Sequence, residues 1–228
     1  MLGVFWSLLE PLLMMGVMYL IFSHLFKSTI ENYPLFLLLG IILWNFFSRS
    51  TSMGLGSIVQ RAGILNQIYF PRAILPVSAT ITAFMMMGLE FAVFFGFVIA
   101  FQFSPPVTIL FLPILIGLMF VLSLGVSLIL SVFFVKYKDL QSIWSIVLYA
   151  GFFLTPVIYE LDIFPKEIKE YLLINPLAHI LDMAHSTTLT GNMPLLYSLG
   201  YVTMFSFGVL IVGFFVFKHY EFKVIEEV

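Results

Sequence analysis

The chain has 228 residues, of which 61% are hydrophobic and 10% are charged, and its mean hydropathy is +1.10. Soluble domains carry about 25% charged residues, so this composition excludes a soluble globular protein and indicates a polytopic membrane protein. A net charge of −2 gives no indication of nucleic-acid binding, and the lack of cysteine excludes disulfides and thiolate metal sites.

The apolar segments predict an all-α polytopic membrane protein with six transmembrane helices in one domain over residues 1–228. A membrane helix needs about 20 apolar residues, and Pro11 is expected to begin or kink the first helix rather than lie inside it. The predicted spans cover 11–26, 35–54, 74–101, 107–135, 143–159 and 195–217.

The break between the second and third spans has the sequence GLGSIVQRAGILNQIYFPRAILP, with two arginines and no acidic residue. A basic connection with glycine and proline between apolar segments is typical of a short cytoplasmic loop. Helical spacing predicts an amphipathic segment that lies on the membrane surface or binds a partner protein. Its apolar side holds Ile58, Ile64, Leu65 and Ile68, and Gln60, Arg61 and Gln67 lie elsewhere.

Lysine and arginine are more frequent on one side of the predicted topology. With both termini inside, the inner loops and tail hold Arg61, Arg72, Lys136, Lys138, Lys218 and Lys223, and the outer connections hold Lys27, Lys166 and Lys169. The positive-inside rule therefore predicts a multi-pass protein of the cytoplasmic membrane with both termini in the cytoplasm.

The segment between the fifth and sixth spans is too polar to cross the membrane and too apolar for an ordinary loop. We expect Asp162 to cap a first short helix with Pro165 in its first turn, and a second short helix to run from 177 until Gly191. This pattern predicts a re-entrant helical hairpin on the outer side, which forms the wall or gate of a pathway. The residues that define this gate are Pro156, Pro165, Asn175 and Pro176.

Three charged residues lie within predicted spans. Glu10 and Arg49 both fall about 23 Å below the outer ends of their helices, so an ion pair near the inner interface is expected. The alternatives are a structural pair, an Arg49 that extends to headgroups, or a pair that gates or lines the inner entrance. Glu90 has no obvious basic partner, and is either a functional carboxylate or a protonated, hydrogen-bonded one.

His179, Asp182 and His185 follow each other at intervals of three residues on the second short helix. This spacing is a weak indication of zinc, because the three positions drift around a helix and no fourth ligand is fixed. We expect polar groups at a wet interface rather than a metal site.

The sequence contains no phosphate-binding loop and no hydrolase or zinc-protease motif, so ATP would have to be bound by a separate subunit. A membrane-embedded transferase would need clustered carboxylates for a metal. The acidic residues of the hairpin are interleaved with lysines, which is typical of a solvated helix face: Glu160, Asp162, Glu167 and Glu170. An ion-coupled carrier is the third class, with Glu90 its single candidate residue.

Four blocks of the chain resemble the permeases of type 2 ABC transporters that export polysaccharides and polyol phosphates. They are LGVFWSLLEPLLMMGVMYLIFSHLF, LFLLLGIILWNFFSRS, IVQRAGILNQIYFPRAILP and LTPVIYELDIFPKEIKEYLLINPLAHILD, in the family's order. The resemblance covers nearly the whole chain.

The resemblance implies a homodimer paired with cytoplasmic ABC ATPase subunits, which bind ATP and magnesium while this chain binds no cofactor. The cargo would be a lipid-linked glycan such as O-antigen, teichoic acid or capsule, with export of drugs or lipids as the alternative. The family's ATPase-coupling helix falls on residues 57–67, from Ser57 to Gln67, and its outer re-entrant helices fall on 164–191. Family members carry an amphipathic interface helix before the first block, and we expect this chain to lack it.

Overall fold

The computed structural model describes residues 2–25, 30, 32–61 and 71–220, and within these ranges all regular structure is helical. The α-helices there are α1 (Leu2–Leu25), α2 (Tyr33–Gly56), α3 (Ile74–Ala100), α4 (Leu112–Lys136), α5 (Leu140–Leu154), α6 (Lys166–Leu172), α7 (Pro176–His185) and α8 (Leu196–Tyr220). Short 3-10 turns form at Val59–Arg61, Val107–Phe111 and Leu161–Ile163, and a π-helical turn follows α7 at Ser186–Thr190.

Helix α2 lies at the centre of the bundle. Every residue over 35–44 is buried, and α2 contacts α1, α3, α4, α5 and α7. A helix that is hydrophobic on all sides is stable when protein surrounds it. We call the end of the bundle at Tyr33, where α6 and α7 lie, the hairpin end, and the end at Val59–Arg61 the loop end.

Helices α4 and α8 cross so closely that their backbones are in contact. A Cβ atom added to Gly213 would lie 2.5 Å from the carbonyl oxygen of Gly125, and one added to Gly125 would lie 2.7 Å from the amide nitrogen of Leu210. Small residues allow membrane helices to approach this closely. The crossing holds α8 against the bundle, although most of α8 is exposed.

Four segments of the described residues are long and apolar enough to cross a membrane: Tyr33–Gly56, Ile74–Ala100, Val107–Lys136 and Leu196–Tyr220. Helix α5 has 15 residues and so measures about 22 Å, which is less than the roughly 30 Å hydrocarbon core. It ends at Leu154 rather than near 159 because Thr155, which precedes a proline, is extended. The structure supports a multi-pass membrane protein. That six helices cross the membrane remains a prediction.

Two local expectations are wrong. Pro11 lies inside α1 and is buried, so it does not begin the helix, and a kink there stays a prediction. Membrane helices tolerate proline when neighbouring groups satisfy the backbone that it frees. Asp162 does not cap α6 but lies in the preceding 3-10 turn, and Pro165 occupies the capping position. Proline fits there because its missing N–H would have no partner at a helix start.

Candidate functional site

A cluster of three charges joins α1, α2 and α3. Arg49 on α2 donates from Nη1 to Oε1 of Glu90 on α3 at 2.8 Å, and its Nη2 lies 3.6 Å from Oε2 of Glu10 on α1. The expected ion pair between Glu10 and Arg49 is therefore present. The expectation that Glu90 lacks a basic partner is wrong. Side chains lean toward the N-terminus of their own helix, and α3 runs back along α2, so Arg49 and Glu90 lean toward each other.

The three charges differ in their contact with solvent. The side chain of Glu90 is 0% exposed, that of Arg49 is 18% exposed and that of Glu10 is 54% exposed. Oε2 of Glu90 has no hydrogen-bond partner among the described residues. The buried carboxylate therefore depends on Arg49, because an unpaired buried charge is very costly.

Polar side chains next to Arg49 connect α2 to its other neighbours. Ser50 Oγ donates to Thr80 Oγ1 on α3 at 3.2 Å. Ser127 Oγ on α4 donates to the carbonyl of Ser50 at 3.2 Å, and Trp144 Nε1 on α5 donates to Thr51 Oγ1 at 3.1 Å. These buried polar groups are satisfied within the bundle, and they fix the rotation of α2 about its axis.

At the loop end, the residues predicted to contact an ATPase divide into two groups. Ser57 and Ile58 are buried, and Ile58 is 0% exposed. Ile58 packs in a cluster with Leu75, Leu128, Val132, Val135 and Phe217. Gln60 and Arg61 are exposed, and Arg61 Nη1 donates to Ser78 Oγ at 3.1 Å. Ile58 therefore faces the bundle rather than a partner, which corrects the amphipathic pattern at this position.

The remaining predicted coupling residues, Ile64, Leu65 and Gln67, lie outside the described residues. The structure describes the first part of the coupling segment as a 3-10 turn, Val59–Arg61. The role of the segment stays a prediction.

At the hairpin end, the gate residues are all at helix starts or turns. Asn175 caps α7: its Oδ1 accepts from the amide of Leu177 at 3.0 Å, and its Nδ2 donates to Thr155 Oγ1 at 3.2 Å. Pro176 is the first residue of α7, and Pro165 precedes α6. Asn175 therefore links the start of α7 to the segment that follows α5, in which Pro156 lies.

The same segment is held directly against α2. Tyr33 Oη donates to the carbonyl of Ile158 at 2.8 Å, and a Cβ atom on Gly40 would lie 2.6 Å from the carbonyl oxygen of Val157. His185 Nε2 donates to the carbonyl of Phe36 at 3.1 Å, and the two rings stack at 3.7 Å. The hairpin therefore contacts α2 through both of its ends.

Both histidines of α7 are buried, and His185 also borders a cavity described below, so the expectation of a wet interface is corrected for His179. Burial lowers the pKa of His185 to about 3, so the ring is neutral. Burial also lowers the pKa of His179, which packs 5.0 Å from the ring of Tyr201. Among the described residues, no three His, Asp or Glu side chains are placed to hold a metal ion.

Two concave surfaces in the described part of the chain combine a ligand-sized volume with several polar side chains. One is a cavity of about 450 Å³ at the hairpin end, which we call the hairpin cavity; its wall includes Phe36, Pro156, Tyr159, Glu160, Asp162, Asp182, His185, Ser186, Thr190 and Asn192. The other, the α2–α5 groove, has about 550 Å³; its wall includes Met14, Met18, Trp44, Asn45, Ser48, Ser52, Gln141, Trp144, Ser145, Tyr149, Phe152 and Phe153.

The α2–α5 groove combines hydroxyl and amide groups with aromatic rings. Asn45, Ser48 and Ser52 recur at helical spacing on one side of α2, and Gln141 and Ser145 face them from α5. Such a surface can hydrogen-bond a polyhydroxylated ligand and stack against its apolar faces. The sequence analysis missed these residues, although the spacing of Asn45, Ser48 and Ser52 was a visible indication.

Comparison with known proteins connects this arrangement to a family. The sequence profile described as "ABC-2 type transporter" matches residues 1–189. The chain belongs to the ABC-2 type transporter family. As an ABC-2 permease it is a transport subunit, and ATP hydrolysis belongs to a separate ATPase partner.

Several relatives of this ABC-2 permease are named for the polymers they handle. An O-antigen export system permease protein RfbA of Klebsiella pneumoniae is 30% identical over 230 residues, which are 98% of this chain and 86% of the relative. An RfbA protein of Myxococcus xanthus is 30% identical over 79% of this chain and 70% of its own length. The polysialic acid transport protein KpsM of Escherichia coli is 26% identical over 96% of this chain and 86% of its own.

Proposed function

We propose that this permease is the membrane-spanning subunit of an ATP-driven exporter that moves a lipid-linked polysaccharide outward across the cytoplasmic membrane. The observation that carries the proposal is similarity over almost the whole chain to permeases named for O-antigen export. The polymer, rather than a drug or a free lipid, is favoured because two relatives named for O-antigen export match 98% and 99% of this chain.

The α2–α5 groove is the proposed wall of the translocation path. Its hydroxyl and amide groups offer sequential hydrogen bonds, and rings such as Trp44, Trp144 and Tyr149 offer stacking surfaces for sugar rings. The groove is open on one side, and a second copy of the chain in a homodimer would close it. Membrane lipids would cover the remaining apolar faces.

The proposed partner surface for the ATPase is the segment 57–67. Gln60 and Arg61 are the described members of this segment that are exposed, and the buried Ile58 would transmit movement of the loop into the core. ATP and magnesium would be bound by the ATPase. We propose that both termini lie in the cytoplasm and that six spans cross the membrane.

The hairpin of α6 and α7 is the proposed re-entrant outer gate, with Pro156, Pro165, Asn175 and Pro176 at its turns. The contact of α7 with Phe36, and those of the segment before α6 with Tyr33 and Gly40, support this role, because a movement of α2 would change them directly. An ion-coupled carrier is not supported, since Glu90 is paired with Arg49 instead of being available to a transported ion.

The proposal is tested in a strain that lacks its own polysaccharide permease. The chain and its candidate ATPase are expressed together, surface glycan is measured by immunoblot, and co-purification of the ATPase is measured in detergent. We expect the wild type to restore surface glycan and to retain the ATPase, and Arg61→Asp combined with Ile64→Asp to lose both.

Lys138→Asp is the matched control, because Lys138 is an exposed basic residue at the same end of the bundle but in another turn. Ser78→Ala tests whether Arg61 acts only through its contact with Ser78. Failure of the wild type to restore glycan while it retains the ATPase would contradict the polysaccharide proposal. Equal loss in Lys138→Asp would contradict the assigned coupling segment.

A further inference from the structure

The hairpin cavity has the size of a binding site, and it is separate from the α2–α5 groove that is the proposed wall of the translocation path. It lies between the first turns of α2, the segment 156–162 and the end of α7, on the opposite end of the bundle from the proposed ATPase surface. Its volume of about 450 Å³ falls in the roughly 300–1,000 Å³ range of small-molecule sites. The rings of Phe36 and Tyr159 form part of its wall.

The cavity carries more negative than positive charge. Glu160, Asp162 and Asp182 line it, and among the described residues Lys169 alone forms an ion pair with one of them, at 2.5 Å from Asp162. No hydrogen bond or ion pair to the carboxylates of Glu160 and Asp182 is found in that part of the chain. Burial raises the pKa of Asp182, the charge of Lys169 opposes this rise in part, and the neighbouring carboxylates of Asp162 and Glu160 add to it. Hydrogen-bond donors from a ligand would stabilise these carboxylates.

Several of the other polar groups of the wall donate their protons to neighbouring groups of the protein. Ser186 Oγ donates to the carbonyl of Met183 at 3.1 Å, and Thr190 Oγ1 donates to the carbonyl of Ser186 at 2.9 Å. Asn192 Nδ2 donates to Thr190 Oγ1 at 3.0 Å. His185 donates its Nε2 proton to Phe36. The amide of Asn32 and the second Nδ2 proton of Asn192 are the side-chain donors left among these described wall residues, whereas three carboxylates supply acceptors. Acceptors therefore outnumber donors in the cavity.

A surface rich in acceptors, negatively charged and edged by aromatic rings selects for a ligand that donates hydrogen bonds and carries no negative charge. An uncharged sugar ring meets this description, because its hydroxyls donate to carboxylates and its apolar faces pack on aromatic rings. A sugar that carries a carboxylate or a phosphate meets repulsion and finds few donors.

We propose that the hairpin cavity binds an uncharged sugar unit of the polymer as it leaves the permease, and that it discriminates against acidic sugar units. This inference rests on the proposed export of polysaccharide and narrows its substrate class. It separates this chain from a relative named for polysialic acid, which is an acidic polymer.

Binding is measured on the purified complex of the chain and its ATPase by saturation-transfer-difference NMR. The neutral probes are the methyl glycosides of glucose, galactose, mannose and rhamnose, and the acidic probes are glucuronic acid and N-acetylneuraminic acid. We expect at least one neutral glycoside to bind and neither acid to bind. Asp182→Asn combined with Glu160→Gln should weaken neutral binding by about tenfold or more and narrow the difference between neutral and acidic probes.

Glu167→Gln is the matched control, because Glu167 is an exposed carboxylate on α6 that does not line the cavity. It should leave binding unchanged, and both variants should elute as the wild-type complex does. The inference is overturned if no neutral glycoside binds, if the acids bind as well as the glycosides, or if Glu167→Gln has the same effect as the double variant.

The export assay separates this inference from the proposed function. Restored surface glycan without any binding of neutral glycosides would overturn the cavity assignment and leave the export function standing. Binding of glycosides with no restored glycan would overturn the export function and leave the cavity assignment standing.

Discussion

Replacement of Arg49 by methionine removes the cation that lies 2.8 Å from a carboxylate with no solvent exposure. Methionine keeps much of the apolar stem, so the main change is that Glu90 becomes a buried charge without a partner. Breaking a buried pair in this way costs about 3–5 kcal/mol. The contact with Glu10 adds at most about 1 kcal/mol, because it is 3.6 Å long and Glu10 is half exposed.

The assay is equilibrium unfolding in mixed micelles of increasing SDS content, followed by tryptophan fluorescence. Glu10→Gln should lower the free energy of unfolding by no more than about 1 kcal/mol. Arg49→Met combined with Glu90→Met should recover most of the loss seen in Arg49→Met, since a buried ion pair replaced by apolar groups is often neutral. The reasoning is refuted if Arg49→Met is no worse than Glu10→Gln, or if the double variant is as unstable as the single one.

Two further predictions use the same assay. Gly213→Val should lower the free energy of unfolding by about 1–3 kcal/mol, because its Cβ would lie 2.5 Å from the backbone oxygen of Gly125. Gly208→Val on the same helix is the control and should lower it far less, because a Cβ there meets nothing within 4 Å. Equal losses in the two variants would contradict the close crossing. His185 has a folded pKa of about 3 against about 6.5 in the unfolded chain, so below pH 6.5 the unfolded chain binds a proton that the folded chain does not. The free energy of unfolding should therefore fall by up to about 1.4 kcal/mol per pH unit below pH 6.5. His185→Asn should remove this contribution to the pH dependence of stability. An unchanged pH dependence in that variant would count against a buried neutral ring.

The long lipid-facing helices were predictable from the sequence. The predicted spans 74–101 and 195–217 agree closely with Ile74–Ala100 and Leu196–Tyr220. The bilayer requires every backbone polar group to be satisfied within its own segment, so the length of an apolar run determines the helix.

Contacts between helices were much less predictable. The ion pair of Glu90 with Arg49 depends on how α2 and α3 are rotated and on the direction in which their side chains lean, and neither follows from depth alone. Ile58 matched an amphipathic pattern that also fits a residue buried against the bundle. The hairpin cavity combines residues from α2, the segment after α5 and α7, which are far apart in the sequence.

The relation between hydropathy and burial explains why the candidate sites concentrate on α2. Among the candidate spans of the described residues, Tyr33–Gly56 has the lowest mean hydropathy, 1.3, and 78% of its most apolar stretch is buried. For Leu196–Tyr220 the mean hydropathy is 2.1, and 17% of the corresponding stretch is buried. Side chains that face lipid are mostly apolar, because a polar group there has no hydrogen-bond partner. A helix surrounded by protein can carry polar side chains wherever a neighbouring group forms a hydrogen bond or an ion pair with them. Arg49 and the groove residues Asn45, Ser48 and Ser52 are therefore all tolerated on α2. In this permease, the span that resembles a membrane helix least is the one that joins the charge cluster, the proposed path and the hairpin.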